Sequence, residues 1–112
     1  MQLISAVVRA FKVHQLCDAL QRFGFRGLTV SEVSGFGQHP DPKEIYRGAT
    51  YRGGVSHYAK IEIVALDADV HDLIEVICKV AATGRSGDGK VWVTPVVHLN
   101  RIRTGEVGVN AL

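Results

Sequence analysis

The sequence predicts an α+β domain in which one four-stranded antiparallel sheet carries two helices on a single face. Three observations predict it. Four short runs rich in β-branched residues, at 3–8, 28–34, 58–66 and 91–97, read as strands. Apolar residues at helical spacing separate the first two runs, and again the last two. The 12 glycines avoid all these segments, with none in 1–23, 55–83 or 90–104.

The elements follow in order. Leu3-Ile4-Ser5-Ala6-Val7-Val8 is the first strand. Val13, Leu16, Cys17, Leu20 and Phe23 then fall on one helical face. Gly24 stops that helix and Gly27 starts the next turn. Leu28-Thr29-Val30-Ser31-Glu32-Val33-Ser34 is the second strand. Residues 36–57 have no apolar period, and a loop of that length is past the ordinary limit of about 12–15 residues. Tyr58-Ala59-Lys60-Ile61-Glu62-Ile63-Val64-Ala65-Leu66 is the third strand. Asp69 is placed to cap the helix whose stripe is Val70, Leu73, Ile74, Ile77, Val80 and Ala81, and Gly84 ends it. The last strand contains Pro95, which puts it at a sheet edge. Strand–helix–strand twice over, with right-handed crossovers, interleaves into the ferredoxin-like βαββαβ arrangement.

Strand parity bears on assembly. Ile61, Ile63 and Ala65 oppose Val64 and Leu66, and Val91, Val93 and Val97 oppose Trp92 and Val96. Both sheet faces then read as apolar, two helices cover one, and self-association is expected to cover the other.

Composition narrows the function classes. At 112 residues the chain is one domain, 1–112, able to bury a core without metal or disulfide staples. A net charge of +2 is too small to require a nucleic-acid partner. No apolar run is long enough to span a bilayer and no leader pattern opens the chain, so a cytoplasmic protein without membrane insertion is expected. Cys17 and Cys78 read as small buried hydrophobes.

The glycine clusters are the candidate working loops. Gly84, Gly89 and Lys90 fit G-x-x-x-x-G-K, but Val91 stands where a hydroxyl is needed and the loop follows a helix instead of leading into one. It is therefore no P-loop, although backbone N–H groups near Gly87 and Gly89 with Lys90 as counter-charge suit an anion. Arg101 and Arg103 alternate, so an extended tail would point both guanidinium groups the same way, toward a phosphate chain. Tyr46, Arg47, Tyr51 and Arg52 sit in the long loop, open to a partner or a modifying enzyme. The five histidines have no metal-ligand spacing, although His39 and His57 flank the long loop. No catalytic constellation is present, and no enzyme is expected.

Taken together, Tyr46-Arg47-Gly48-Ala49-Thr50-Tyr51, the run Thr83-Gly84-Arg85-Ser86-Gly87-Asp88-Gly89-Lys90-Val91-Trp92-Val93 and Arg101-Ile102-Arg103-Thr104-Gly105-Glu106 resemble the PII nitrogen-regulatory signal proteins. Phe11-Lys12, Gly27-Leu28-Thr29-Val30 and Gly35-Phe36-Gly37 extend the resemblance over the whole chain. It implies a homotrimer of ferredoxin-like subunits with ATP and ADP competing for clefts between them, Mg²⁺ accompanying ATP. It implies that Gly87, Asp88, Gly89 and Lys90 hold phosphates together with Arg101 and Arg103, and that Thr29, Glu62 and Val64 surround adenine. Gly35, Phe36, Gly37 and Gln38 would close the cleft. Residues 36–57 would be the T-loop, 83–90 the B-loop and 98–112 the C-terminal loop. Through the T-loop such a protein regulates an ammonium transporter or nitrogen-metabolism enzymes, and Tyr51 would be the modified residue.

Relatives that sense 2-oxoglutarate tend to carry glutamine at position 39 and lysine near position 58, where this chain has His39 and Tyr58. Losing the lysine's charge-assisted contact costs about 1.5–3 kcal/mol, or one to two decades of affinity. The resemblance therefore implies adenine-nucleotide binding with a weakened 2-oxoglutarate response. The alternative is a divergent PII-like sensor of another small ligand that regulates a transporter.

Overall fold

The computed structural model describes residues 1–25, 27–37, 45–46, 49–50 and 55–112. The chain runs β1 (Gln2–Arg9), α1 (Val13–Arg22), β2 (Thr29–Phe36), β3 (Ile45–Tyr46), β4 (Ala49–Thr50), β5 (Val55–Ala65), α2 (Val70–Ala81) and β6 (Gly89–Pro95). The main sheet has the order β2-β5-β1-β6, and every pair in it is antiparallel. With two helices as crossovers, this is the expected ferredoxin-like fold. Pro95 ends an edge strand, where its missing N–H costs no ladder bond.

The core forms where helix stripes meet one pleat of the sheet. Ile4, Ala6 and Val8 of β1 pair with Ile63, Ile61 and Ala59 of β5, so these side chains share a face. Leu16 and Leu20 of α1 and Leu73, Ile77 and Ala81 of α2 recur every four residues and bury against that face. Ile4, Leu16, Leu20, Ile61, Ile63 and Ile77 are fully buried, each worth about 1.5–3 kcal/mol of transfer free energy. Cys78 departs from expectation and is exposed: it follows Ile77, about 100° around the helix from the stripe. Cys17 is half-buried.

Boundaries differ from expectation at both ends of the sheet. β5 begins at Val55, three residues before the predicted start, because its pairing with β2 continues through Phe36↔Val55. β6 begins at Gly89, since that residue pairs with Val8. The short strands β3 and β4 pair inside the long loop, which the apolar pattern alone did not disclose. At α2, Asp69 occupies the cap position without a side-chain capping bond. The helix stops at an extended Ala82, before Gly84.

The face away from the helices is less apolar than parity suggested. Leu66 and Val96 lie just beyond the strands. Leu3, Val7, Val64 and Trp92 share it with Lys60, Glu62, Arg9 and Ser5. Lys60 and Glu62 form an ion pair at 3.1 Å, and Ser5 is buried. No described helix is long and apolar enough to cross a membrane.

Candidate functional site

The glycine-rich loop is built around one carboxylate. Asp88 Oδ2 accepts from the backbone N–H groups of Thr83 at 2.7 Å and Gly84 at 3.0 Å. Asp88 Oδ1 accepts from the Thr83 hydroxyl and, at 3.1 Å, from Arg9 Nε. Arg9 Nη2 also donates to the Ser86 carbonyl at 2.8 Å. These bonds, led by the one from the Thr83 hydroxyl, hold the Asp88 carboxyl well below the usual carboxylate range. The Asp88 side chain is thus turned into its own loop, which it fastens to the end of β1. Arg9 is 8% exposed, so its charge depends on partners of this kind.

Main-chain contacts fix the loop further. A Cβ at Gly89 would stand 1.7 Å from the Val7 carbonyl oxygen, and Gly89 has φ +105°. Only glycine allows β6 to start this close to β1. Gly87 sits against Arg9 and Tyr58: a Cβ there would lie 3.3 Å from Arg9 Nη2 and 3.5 Å from the Tyr58 hydroxyl. Gly35 meets the other side of the same tyrosine, with a Cβ position 2.7 Å from its ring. Tyr58 pairs with Arg9 on β1 and with Val33 on β2. The sheet therefore gathers Gly35, Tyr58, Arg9 and Gly87, from four segments, at one end of its open face. Sequence reasoning singled out the two glycines but missed Arg9. No local spacing marks that residue, because its partner Asp88 is 79 positions away.

A cavity of about 980 Å³ opens near the other end of the sheet. Thr29, Glu62 and Val64, read as the surroundings of adenine, all line it. Thr29 and Glu62 are register partners, which places their side chains on one face. Leu28, Phe25, Leu99, Val109 and Leu112 supply apolar walls. Tyr58 and Glu62 are four residues apart on β5, roughly 13 Å at a strand's rise. Within the chain the cavity and the glycine loop are therefore separate.

The cations divide into engaged and open ones. The extended tail expected for Arg101 and Arg103 is instead a turn, closed by the Gly105 N–H donating to the Arg101 carbonyl at 2.8 Å, with Gly105 at φ +73°. Arg101 is half-buried and donates to Glu106 Oε2 at 2.6 Å. Arg103 and Lys90 are exposed. Phe36 and Gly37 are exposed at the end of β2. Gln38, His39 and Tyr51 lie outside the described residues, and His57 is exposed on β5. Among the described residues no three His, Cys, Asp or Glu side chains gather to hold a metal ion.

Comparison with known proteins places this arrangement. The family model described as "Nitrogen regulatory protein P-II" matches residues 1–106. Nitrogen regulatory protein P-II of Azospirillum brasilense is 45% identical over the full length of both chains. The protein of the same name from Rhizobium meliloti is 42% identical, and nitrogen regulatory protein GlnK of Escherichia coli 38%, again over the full length of both chains. The chain belongs to the nitrogen regulatory protein P-II family, as a signal-transduction regulator and not an enzyme.

Proposed function

We propose that this regulator binds ATP and ADP in clefts between the subunits of a homotrimer and signals the bound state through its T-loop. The observation that carries the reading is the 83–90 loop. Its one carboxylate is neutralised internally, it is clamped to β1, and it leaves Lys90 exposed at its end. A loop fixed before the ligand arrives loses little freedom on binding. Main-chain N–H groups around Gly87 and Gly89, with Lys90 beside them, suit an anionic phosphate tail. Asp88 serves this site by shaping the loop, since a bare carboxylate facing phosphate would repel it. Arg103 adds a second cation and Arg101 a third. Mg²⁺ enters only as the counter-ion of ATP.

The cavity lined by Thr29, Glu62 and Val64 suits the adenine end. Its volume is of the size that holds a small molecule. Its separation from the glycine loop within one subunit supports a cleft in which one copy offers the cavity and its neighbour the loop. Val97 and Ile102 are 97% and 102% exposed, apolar surface that a neighbouring copy would cover. Gly35, Phe36, Gly37 and Gln38 would close the cleft where the T-loop begins, so ATP and ADP would favour different T-loop arrangements. Partners such as an ammonium transporter or nitrogen-metabolism enzymes would read those arrangements, with Tyr51 as the modifiable residue.

The placement of Tyr58 favours a second reading for the small co-ligand. Its ring fills the space against Gly35 and its hydroxyl approaches Gly87. A side chain without positive charge there favours a sensor that reads adenine nucleotides, or another small ligand, without a 2-oxoglutarate response.

Calorimetric titration of the full chain with ATP and ADP, alongside a light-scattering mass, tests the proposal. A trimer that binds both nucleotides is expected. Lys90→Ala and Arg103→Ala should each weaken binding by about tenfold or more, the loss of one charge-assisted contact. A monomer, or a chain that takes up neither nucleotide at millimolar concentration, would refute it.

A further inference from the structure

Arg101 carries two duties that conflict. Its Nη1 donates to Glu106 Oε2 at 2.6 Å and its Nη2 to the Leu112 backbone oxygen at 2.7 Å. Around this clasp the main chain closes as well. Arg101 N donates to the Glu106 carbonyl at 2.9 Å, and Gly108 N to the Leu99 carbonyl at 2.9 Å. The segment so held includes Val109 and Leu112, which wall the cavity beside Thr29 and Glu62. One guanidinium is thus both the fastening of that wall and a cation offered to phosphate. A guanidinium's planar fork gives the same edge to a carboxylate as to a phosphate, so the two claims compete.

We propose that Glu106 is an internal competitor for Arg101 that sets the nucleotide affinity. When Arg101 exchanges Glu106 for a phosphate oxygen, the 106–112 segment loses one of its fastenings, the side-chain bond between Arg101 and Glu106, and the cavity wall loosens on its remaining bonds. The proposal rests on the nucleotide reading above. The pair is suited to exchange because both side chains are substantially exposed, 35% and 45%, and exposed pairs hold weakly. A buried pair would resist exchange at any ordinary ligand concentration.

The test is ATP titration of the full chain and of Glu106→Gln, which keeps the shape of the side chain and removes its charge. Glu106→Gln is expected to bind ATP about two- to fivefold more tightly, the strength of an exposed ion pair. Hydrogen exchange on the unmodified chain supplies the second readout: the Gly105 and Gly108 amides should exchange faster once ATP saturates. If the unmodified chain binds ATP but Glu106→Gln binds it equally or more weakly, the competitor role is overturned and the nucleotide reading stands. Unchanged exchange at both amides under saturating ATP overturns it likewise. If the unmodified chain binds no ATP, both readings fall.

Discussion

Asp88→Asn removes one charge and no volume, and it strikes the point where the glycine loop is tied. In the native chain the carboxylate receives two backbone N–H groups, the Thr83 hydroxyl and Arg9. The amide keeps one acceptor oxygen and turns an NH2 group toward donors. A hydrogen bond to a charged group contributes about 1.5–3 kcal/mol net. Stripping a buried ion of its partner costs about 3–5 kcal/mol. Arg9 is nearly buried, but Asp88 retains some solvent and Arg9 keeps its bond to Ser86, so about 2–3 kcal/mol is the expected loss. Urea unfolding at fixed protein concentration measures the global part, and hydrogen exchange at Thr83 and Gly84 the local part. A fall in stability of that size, with exchange at those amides at least about tenfold faster, is expected. The pH dependence has a definite sign. The folded pKa of Asp88 is depressed, so its contribution is complete above the unfolded value of about 3.9 and is lost as pH falls toward the folded value. The native chain should therefore lose this stability below about pH 4, whereas Asp88→Asn should lack that part of the acid limb. Stability within about 0.5 kcal/mol of native at pH 7, with unchanged exchange at Thr83 and Gly84, would refute the reasoning.

Four further outcomes are expected. Gly89→Ala drives a methyl into the Val7 carbonyl at a strained φ and should cost at least about 3 kcal/mol in urea unfolding. Gly27→Ala, with no described residue beyond its chain neighbours within 4 Å of the added carbon, should change stability by less than about 1 kcal/mol; equal effects would contradict the packing described. Leu16→Ala and Ile77→Ala, both at fully buried positions, should each lose about 2–5 kcal/mol, and a smaller loss would show that these helices are not seated on the sheet as described. Tyr58→Lys should strengthen 2-oxoglutarate binding in the presence of Mg²⁺ and ATP by about one to two decades, measured by calorimetry; no gain would remove Tyr58 as the determinant.

Local pattern carried the fold well and the site only in part. β-branched runs and i, i+4 stripes are near-neighbour signals, so strands, helices and their order could be read directly. Counting faces took in residues just past the strand ends: Leu66 follows β5 and Val96 follows β6, Val96 N donating to the Met1 carbonyl at 3.2 Å. The glycines and Lys90 marked the loop, but not which way the Asp88 carboxylate turns. That depends on Arg9, brought near by the pairing of β1 with β6 and unmarked by any periodicity. Likewise, alternation of Arg101 and Arg103 suggested two parallel cations, whereas Gly105 at positive φ turns the tail and hands Arg101 to Glu106. Such contacts depend on topology, which short-range spacing does not encode.

A crystal structure of the full chain grown with ATP would show where the nucleotide sits. Phosphate oxygens are expected within about 3.2 Å of main-chain nitrogens in the 87–89 segment and of Lys90 Nζ. The base is expected in the cavity beside Thr29 and Glu62, the two parts being supplied by adjoining copies. Phosphates bound away from that loop, or a nucleotide held wholly within one isolated subunit, would contradict this placement.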